Sequence, residues 1–261
     1  MKDSKKKRLE LNSNGKIFIY RIVVAIIFII SILLVYTIND MSNSKESVAM
    51  QIDNDNVITT EKIDEKIPSE ENLKKLQDWR LMLVNYENEM PRYYKPKLSV
   101  VDEDRLFDSR ASSSLIRMME DMRKDGITRI WAQSAYRDPK KQDELIQESI
   151  QEYLEQGKTK EEAEILTKRS IGEPYKSDHN LGLAVDFNNI DYAFEKESAF
   201  KWLTEHAQDY GFILRYPKDK EDITKIKYEP WHWRYVGPEY AKEIKEKGMC
   251  LEEYIDYLKG N

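Results

Sequence analysis

The stretch Ser177-Asp178-His179-Asn180-Leu181-Gly182-Leu183-Ala184-Val185-Asp186-Phe187-Asn188 decides how this chain is read. From Gly182 onward it alternates, setting Leu183, Val185 and Phe187 on one face of an expected strand and Gly182, Ala184 and Asp186 on the other. A carboxylate between valine and phenylalanine is expensive to bury unless it is paired or bound to a cation. Its own face carries only very small residues, which leaves room for an ion.

Working outward, the chain has 3 histidines. His179 lies in this stretch, His232 ends Glu229-Pro230-Trp231-His232, and His206 sits on a separate helical segment with no expected role. Two imidazoles and one carboxylate form a three-ligand set whose fourth tetrahedral position is open to water, and a second carboxylate nearby can take that water's proton. His179, Asp186 and His232 are therefore expected to hold one zinc ion, with Glu229 unligated as general base and then general acid. Glu229 and His232 are three apart and would face opposite ways on a regular strand, so a bend at Pro230 is required. Arg137, in Ser134-Ala135-Tyr136-Arg137 just past a strand end, is a candidate to hold either a substrate carboxylate or the oxyanion of the tetrahedral intermediate. Gln142 and Ser177 are candidates for hydrogen bonds to substrate. Trp231, Trp233 and Tyr235 are expected to be packing residues first.

Around these motifs the periodicities predict a strand at Leu81 to Val84 and a helix through Ala111, Leu115, Met118 and Met122, closed by Gly126. A strand at Ile127 to Ser134 follows. A helix after Pro139 runs to Gly157, and Thr159 with Glu162 forms a capping-box pattern for the next one. A helix from Phe200 to Gly211, strands at Phe212 to Tyr216 and Tyr228 to Val236, and two terminal helices between Pro238 and Leu258 complete the reading. Strands separated by helices of uneven length, without a Gly-rich nucleotide loop, predict an α+β domain with a mainly antiparallel sheet.

The 261 residues carry a formal net charge of -6, and no basic face stands out beyond the first twenty residues, which argues against nucleic acid as a partner. The 1 cysteine, Cys250, excludes an intramolecular disulfide and a cysteine zinc cluster. Residues 22–38 are almost wholly apolar and nearly long enough to cross a bilayer. The Lys/Arg-rich residues 1–21 should stay cytoplasmic, so the bulk of the chain is expected outside a bacterial cytoplasmic membrane, single-pass. A cleavable signal peptide ending near Ser42-Asn43-Ser44 is the alternative. Residues 39–72, rich in Ser, Asn, Asp, Glu and Lys, read as a flexible stalk, and 73–261 as the folded domain.

Ser177-x-His179-x-x-Gly182-x-Ala184-x-Asp186, followed by Glu229-x-x-His232, resembles the zinc D-alanyl-D-alanine carboxypeptidases of the VanY type, M15-like metallopeptidases. The resemblance extends through Ser134 to Arg137, Tyr210 to Pro217 and Tyr228 to Gly237. It implies a hedgehog/D,D-peptidase-like α+β fold, zinc on His179, Asp186 and His232, Glu229 as base, and Arg137 engaging the anionic substrate or intermediate. It also implies removal of the terminal D-alanine from peptidoglycan stem peptides or their precursors, in wall remodelling or glycopeptide resistance. An L,D-carboxypeptidase acting on tetrapeptide stems is the nearest alternative, and a non-catalytic wall-binding module of the same fold is another. The segment between Gln142 and Lys176 is longer than in the shortest relatives, which bears on the rim of the groove.

Overall fold

The computed structural model describes residues 68–260. The expected basic tail (1–21), membrane anchor (22–38) and most of the expected stalk lie outside the described residues. Among the described residues no helix is long and apolar enough to cross a membrane. Ordered structure starts within the last residues assigned to the stalk: Glu70–Leu76 is helix α1, and its N-cap Ser69 accepts from the Asn72 amide at 3.1 Å. Glu70 and Glu71 in its first turn and Lys74 and Lys75 in its last suit the helix dipole.

The centre of the domain is a four-stranded antiparallel sheet. Its strands β3 (Ala132–Ser134), β4 (Ala184–Phe187), β5 (Phe212–Leu214) and β6 (His232–Tyr235) lie in the order β3-β4-β6-β5. Every residue of β4 and β6 is buried. The apolar face of β4, Val185 and Phe187, packs into one core with Leu115, Met118 and Met122 of helix α2 (Ser112–Lys124). The opposite face of β4 is the one that carries Asp186. Mainly antiparallel α+β architecture is thus as the sequence predicted.

Helix α3 (Pro139–Glu155) starts at the Asp138 cap, and α4 (Lys160–Lys168) starts at the reciprocal Thr159–Glu162 capping box. The two pack as a hairpin, with Ser149 and Thr167 hydroxyls 3.0 Å apart. A four-residue helix α5 (Asp178–Leu181) leads into β4. Helix α6 (Ser198–His206) continues as a 3₁₀ turn and stops at Gly211, whose φ is 88°. There the Gly211 carbonyl accepts from both Val236 and Gly237 amides, at 2.8 and 3.1 Å. After the short α7 (Glu221–Thr224), helices α8 (Pro238–Lys247) and α9 (Leu251–Lys259) enclose a second core of Leu81, Ile213, Val236, Tyr254 and Leu258.

Several expected strands are corrected, among them Phe212 to Tyr216, which keeps only three residues. Leu81 to Val84 is no strand: Asp78 caps a 3₁₀ turn at Trp79–Leu81, and Leu81 and Val84 are buried, Met82 and Leu83 partly so, without pairing into a sheet. The strands expected at Ile127 to Ser134 and Tyr228 to Val236 shrink to three and four residues, the latter because the His232 amide bonds back to the Glu229 carbonyl at 3.2 Å around Pro230. Pro230 lacks an N–H for a ladder, so pairing starts only after it. Finally, an unforeseen hairpin joins β1 (Leu98–Asp102) and β2 (Arg105–Asp108) across a turn where Glu103 takes a φ of 43°. Its Glu-Asp turn lacks the Asn-Gly or Asp-Gly signature by which hairpins are recognised.

Candidate active site

The sheet register builds the site. Ser134 of β3 stands opposite Asp186 of β4, and Asp186 stands opposite His232 of β6. Directly opposed residues in antiparallel strands project to the same face, so these three form a row across the sheet. His179 reaches that row from α5: Ser177 caps the turn by accepting from the His179 amide at 3.3 Å, and the His179 carbonyl accepts from Arg137 and Gly182 amides, both at 3.1 Å. The bend at Pro230 brings Glu229 to the same side, with Oε2 3.5 Å from His232 Nδ1.

His179, Asp186 and His232 offer one ligand atom each within 4.8 Å of one another, and all three are buried. His179 Nδ1 lies 2.6 Å from the Ala135 carbonyl, which can only accept, so that nitrogen carries the proton. Burial lowers the His179 pKa, which keeps the ring neutral. Its Nε2 lone pair therefore faces Asp186 Oδ2 at 3.1 Å, acceptor against acceptor. Asp186 Oδ1 is 3.1 Å from His232 Nδ1 yet has no hydrogen-bond partner, and His232 Nε2 is likewise buried without one among the described residues. Burial works against ionisation of Asp186, and a positive charge on the imidazole side, from a ring proton or a cation in its place, holds the carboxyl well below its usual range. Inward-facing lone pairs with an orphaned carboxylate oxygen are what a divalent cation satisfies, and the donor set of two nitrogens and one oxygen fits zinc.

Glu229 has the opposite electrostatics. Burial and then the Asp186 charge push its carboxyl well above the ordinary range, with Arg137 opposing. Arg137 is 3.6 Å from Asp186 and remains cationic, since arginine does not deprotonate in proteins. Its guanidinium is steered by Ser134 Oγ at 2.9 Å and by Gln142 Oε1 at 2.8 Å. Gln142 in turn donates to the Gly172 carbonyl at 2.7 Å. Gln142 thus orients Arg137 and Ser177 caps α5, while both also line the cleft. That cleft, about 370 Å³, collects all seven sequence-derived site residues and adds Tyr153, Ile190, Tyr192 and Trp231. His206 is half-exposed against Trp202 and takes no part. Trp233 and Tyr235 are core residues, as expected.

Sequence reasoning missed the support beneath the site. Asp178, beside His179, is fully buried under two guanidinia: Arg215 Nε donates to it at 2.7 Å, and Arg234 Nη1 also donates to it. Arg215 further makes a bidentate pair with Glu252 of α9, both contacts 2.7 Å, and Asn85 donates to Glu252 at 3.1 Å. Arg234 donates to the Arg80 and Met82 carbonyls at 2.9 and 3.1 Å. The available signal was an arginine within each of two mostly apolar runs, Phe212 to Tyr216 and Trp231 to Val236.

The family model described as VanY, D-alanyl-D-alanine carboxypeptidase, matches residues 104–238. A D-alanyl-D-alanine carboxypeptidase of Enterococcus faecalis is 39% identical over 180 residues, 69% of this chain and 67% of that one. Among solved structures, a Zn(II) complex of the vancomycin resistance D,D-pentapeptidase VanY from a VanB-type cassette is 38% identical at a TM-score of 0.63, covering 68% of this chain and 99% of that one. The LdcB LD-carboxypeptidase is 32% identical at a TM-score of 0.59, covering 69% and 88%.

Proposed function

The chain belongs to the VanY family of D-alanyl-D-alanine carboxypeptidases, and from that premise we propose that it is a zinc-dependent D,D-carboxypeptidase that removes the terminal D-alanine from peptidoglycan stem peptides or their precursors. The observation that carries this reading is the convergence of His179, Asp186 and His232 on one point, with Glu229 and Arg137 at its edge. His179 Nε2, an Asp186 carboxylate oxygen and a His232 ring nitrogen would hold the ion. Bound there, zinc supplies Lewis acidity toward the scissile carbonyl and toward water.

The remaining steps belong to the chain's own side chains. Glu229 accepts the proton of the attacking water and returns it to the leaving amine, a shuttle favoured by a carboxyl whose pKa is raised toward the working pH. Arg137, fixed by Ser134 and Gln142, presents its guanidinium to the negative charge of the substrate terminus or of the tetrahedral intermediate. Glu229 is itself buried and Arg137 mostly so, which strengthens both interactions.

The same reading sets the domain outside a bacterial cytoplasmic membrane, anchored through residues 22–38, on the strength of the apolar run and the basic residues before it. Trimming the D-alanine there serves either wall remodelling or glycopeptide resistance. Metal analysis together with product identification on defined stem peptides tests the proposal: one zinc per chain and D-alanine released from pentapeptide stems are expected. Release without bound metal, or bound metal with no release from any stem, would sink it.

The likeness to the LdcB LD-carboxypeptidase favours a second reading, cleavage of tetrapeptide stems. Relative kcat/KM on pentapeptide and tetrapeptide stems separates the two. A wall-binding module without catalysis is disfavoured because Glu229, buried beside the cluster at a cost in desolvation, would have no use in it.

A further inference from the structure

A second cavity of about 270 Å³ adjoins the catalytic cleft, and the two share a wall made by Ile171, Gly172, Tyr216 and Ile226. Its lining includes three lysines, the partly buried Lys176 and the exposed Lys168 and Lys225, against one carboxylate, Glu173. Lys176 Nζ bonds Glu173 at 3.0 Å and the Tyr86 carbonyl at 3.2 Å, Lys168 lies 3.5 Å from Glu173, and Lys225 bonds the Asp222 carbonyl. An ammonium has three protons to donate, so each lysine keeps donors that these contacts leave unfilled, and the cavity carries net positive charge.

The shared wall also stands next to the groups that hold a substrate's negative end. Gln142, which orients Arg137, bonds the Gly172 carbonyl at 2.7 Å, and a Cβ built on Gly172 would sit 3.5 Å from the Ser177 Cβ. Gly172 adds no side chain to the wall, and none fits: that Cβ would meet the Lys176 carbonyl at 2.8 Å. A terminal residue whose carboxylate meets Arg137 in the cleft would lie beside these shared lining residues.

We propose that the lysine-lined cavity is an anionic extension of the leaving-residue pocket, which admits terminal D-residues with acidic side chains as well as D-alanine. The inference rests on the carboxypeptidase reading above and deepens it. The ligand class is a C-terminal D-amino acid whose side-chain carboxylate meets Lys168, Lys176 and Lys225.

The test compares N-acyl-D-alanyl-D-glutamate with its neutral isostere N-acyl-D-alanyl-D-glutamine, using N-acyl-D-alanyl-D-alanine as reference and the metal-loaded full chain as enzyme. The acidic peptide should be cleaved with about tenfold higher kcat/KM than the neutral one, the discrimination expected of a charge-assisted contact. Lys168→Glu and Lys176→Glu should each pull that ratio toward unity and leave D-alanine release from the reference peptide unchanged, which also reports that the variants fold. The wild-type ratio needs no variant, so it decides the matter even if a charge reversal is not tolerated. A wild-type ratio near unity overturns the extension while the carboxypeptidase reading stands, as does a ratio that survives in both variants. No D-alanine from the reference peptide overturns both.

Discussion

At Glu229 burial raises the carboxyl pKa most, the Asp186 charge adds to the rise, and Arg137 pulls the other way. A group so placed is suited to move a proton and has no ligand role to fill. Glu229→Gln is accordingly expected to lower kcat by about 10²–10⁴-fold and to leave metal content unchanged by elemental analysis. Parallel loss of metal and activity would recast Glu229 as a ligand. The orphaned Oδ1 of Asp186 gives a second prediction. Because a cation bound only to the folded state adds stability, a chelator should lower the melting temperature of the wild-type protein, and added zinc should restore it. Asp186→Ala should melt at the same temperature with or without chelator, a comparison made directly by scanning calorimetry.

Among the elements, the 3₁₀ turn after α6 depends on Gly211. Its φ of 88° strains any other residue, and a Cβ would approach the Gly237 backbone to 2.8 Å. Gly211→Ala therefore combines a left-handed strain of about 1 kcal/mol with a clash between two backbones that cannot yield as side chains do. Gly126→Ala has a similar φ of 91° but meets nothing within 4 Å. The melting temperature should fall clearly further for Gly211→Ala than for Gly126→Ala, and equal shifts would show that the contact with Gly237 is unimportant. The elements that the sequence revealed well are those with strong local signals, such as the Thr159–Glu162 capping box and the Asp138-Pro139 start of α3. The β1–β2 hairpin and the turn at Trp79–Leu81 lacked such signals and went unread, the first for want of turn glycine and the second because a short apolar run has no distinctive period.

For the molecule as a whole, the buried Asp178, Arg215, Arg234 and Glu252 network joins α5, the ends of β5 and β6, and α9. Burial opposes ionisation of Glu252, but Arg215 and Asn85 overcome it and hold the carboxyl below its ordinary value of 4.5. The unfolded chain then binds more protons than the folded one in acid. This contribution is complete above the ordinary glutamate value and is lost as the pH drops through the lower folded one. Glu252→Gln leaves Arg215 with half its partners and should cost about 3 kcal/mol near neutral pH, read from urea midpoints. It should also flatten the acid limb of the stability profile. An acid limb identical to wild type would mean that other carboxyls carry it.

The sequence by itself determined the chemistry: which imidazoles and acids are present, that Asp186 lies on a face of small residues, and that Pro230 must bend the chain between Glu229 and His232. Those are local properties, set by residue type and by strand periodicity. Only the tertiary structure decided that Ser134, Asp186 and His232 align across three strands, that Gln142 serves Arg137, and that a cationic cavity lies behind Gly172. Register between distant strands and the company of a buried side chain arise from contacts many residues apart, and no window of sequence contains both partners.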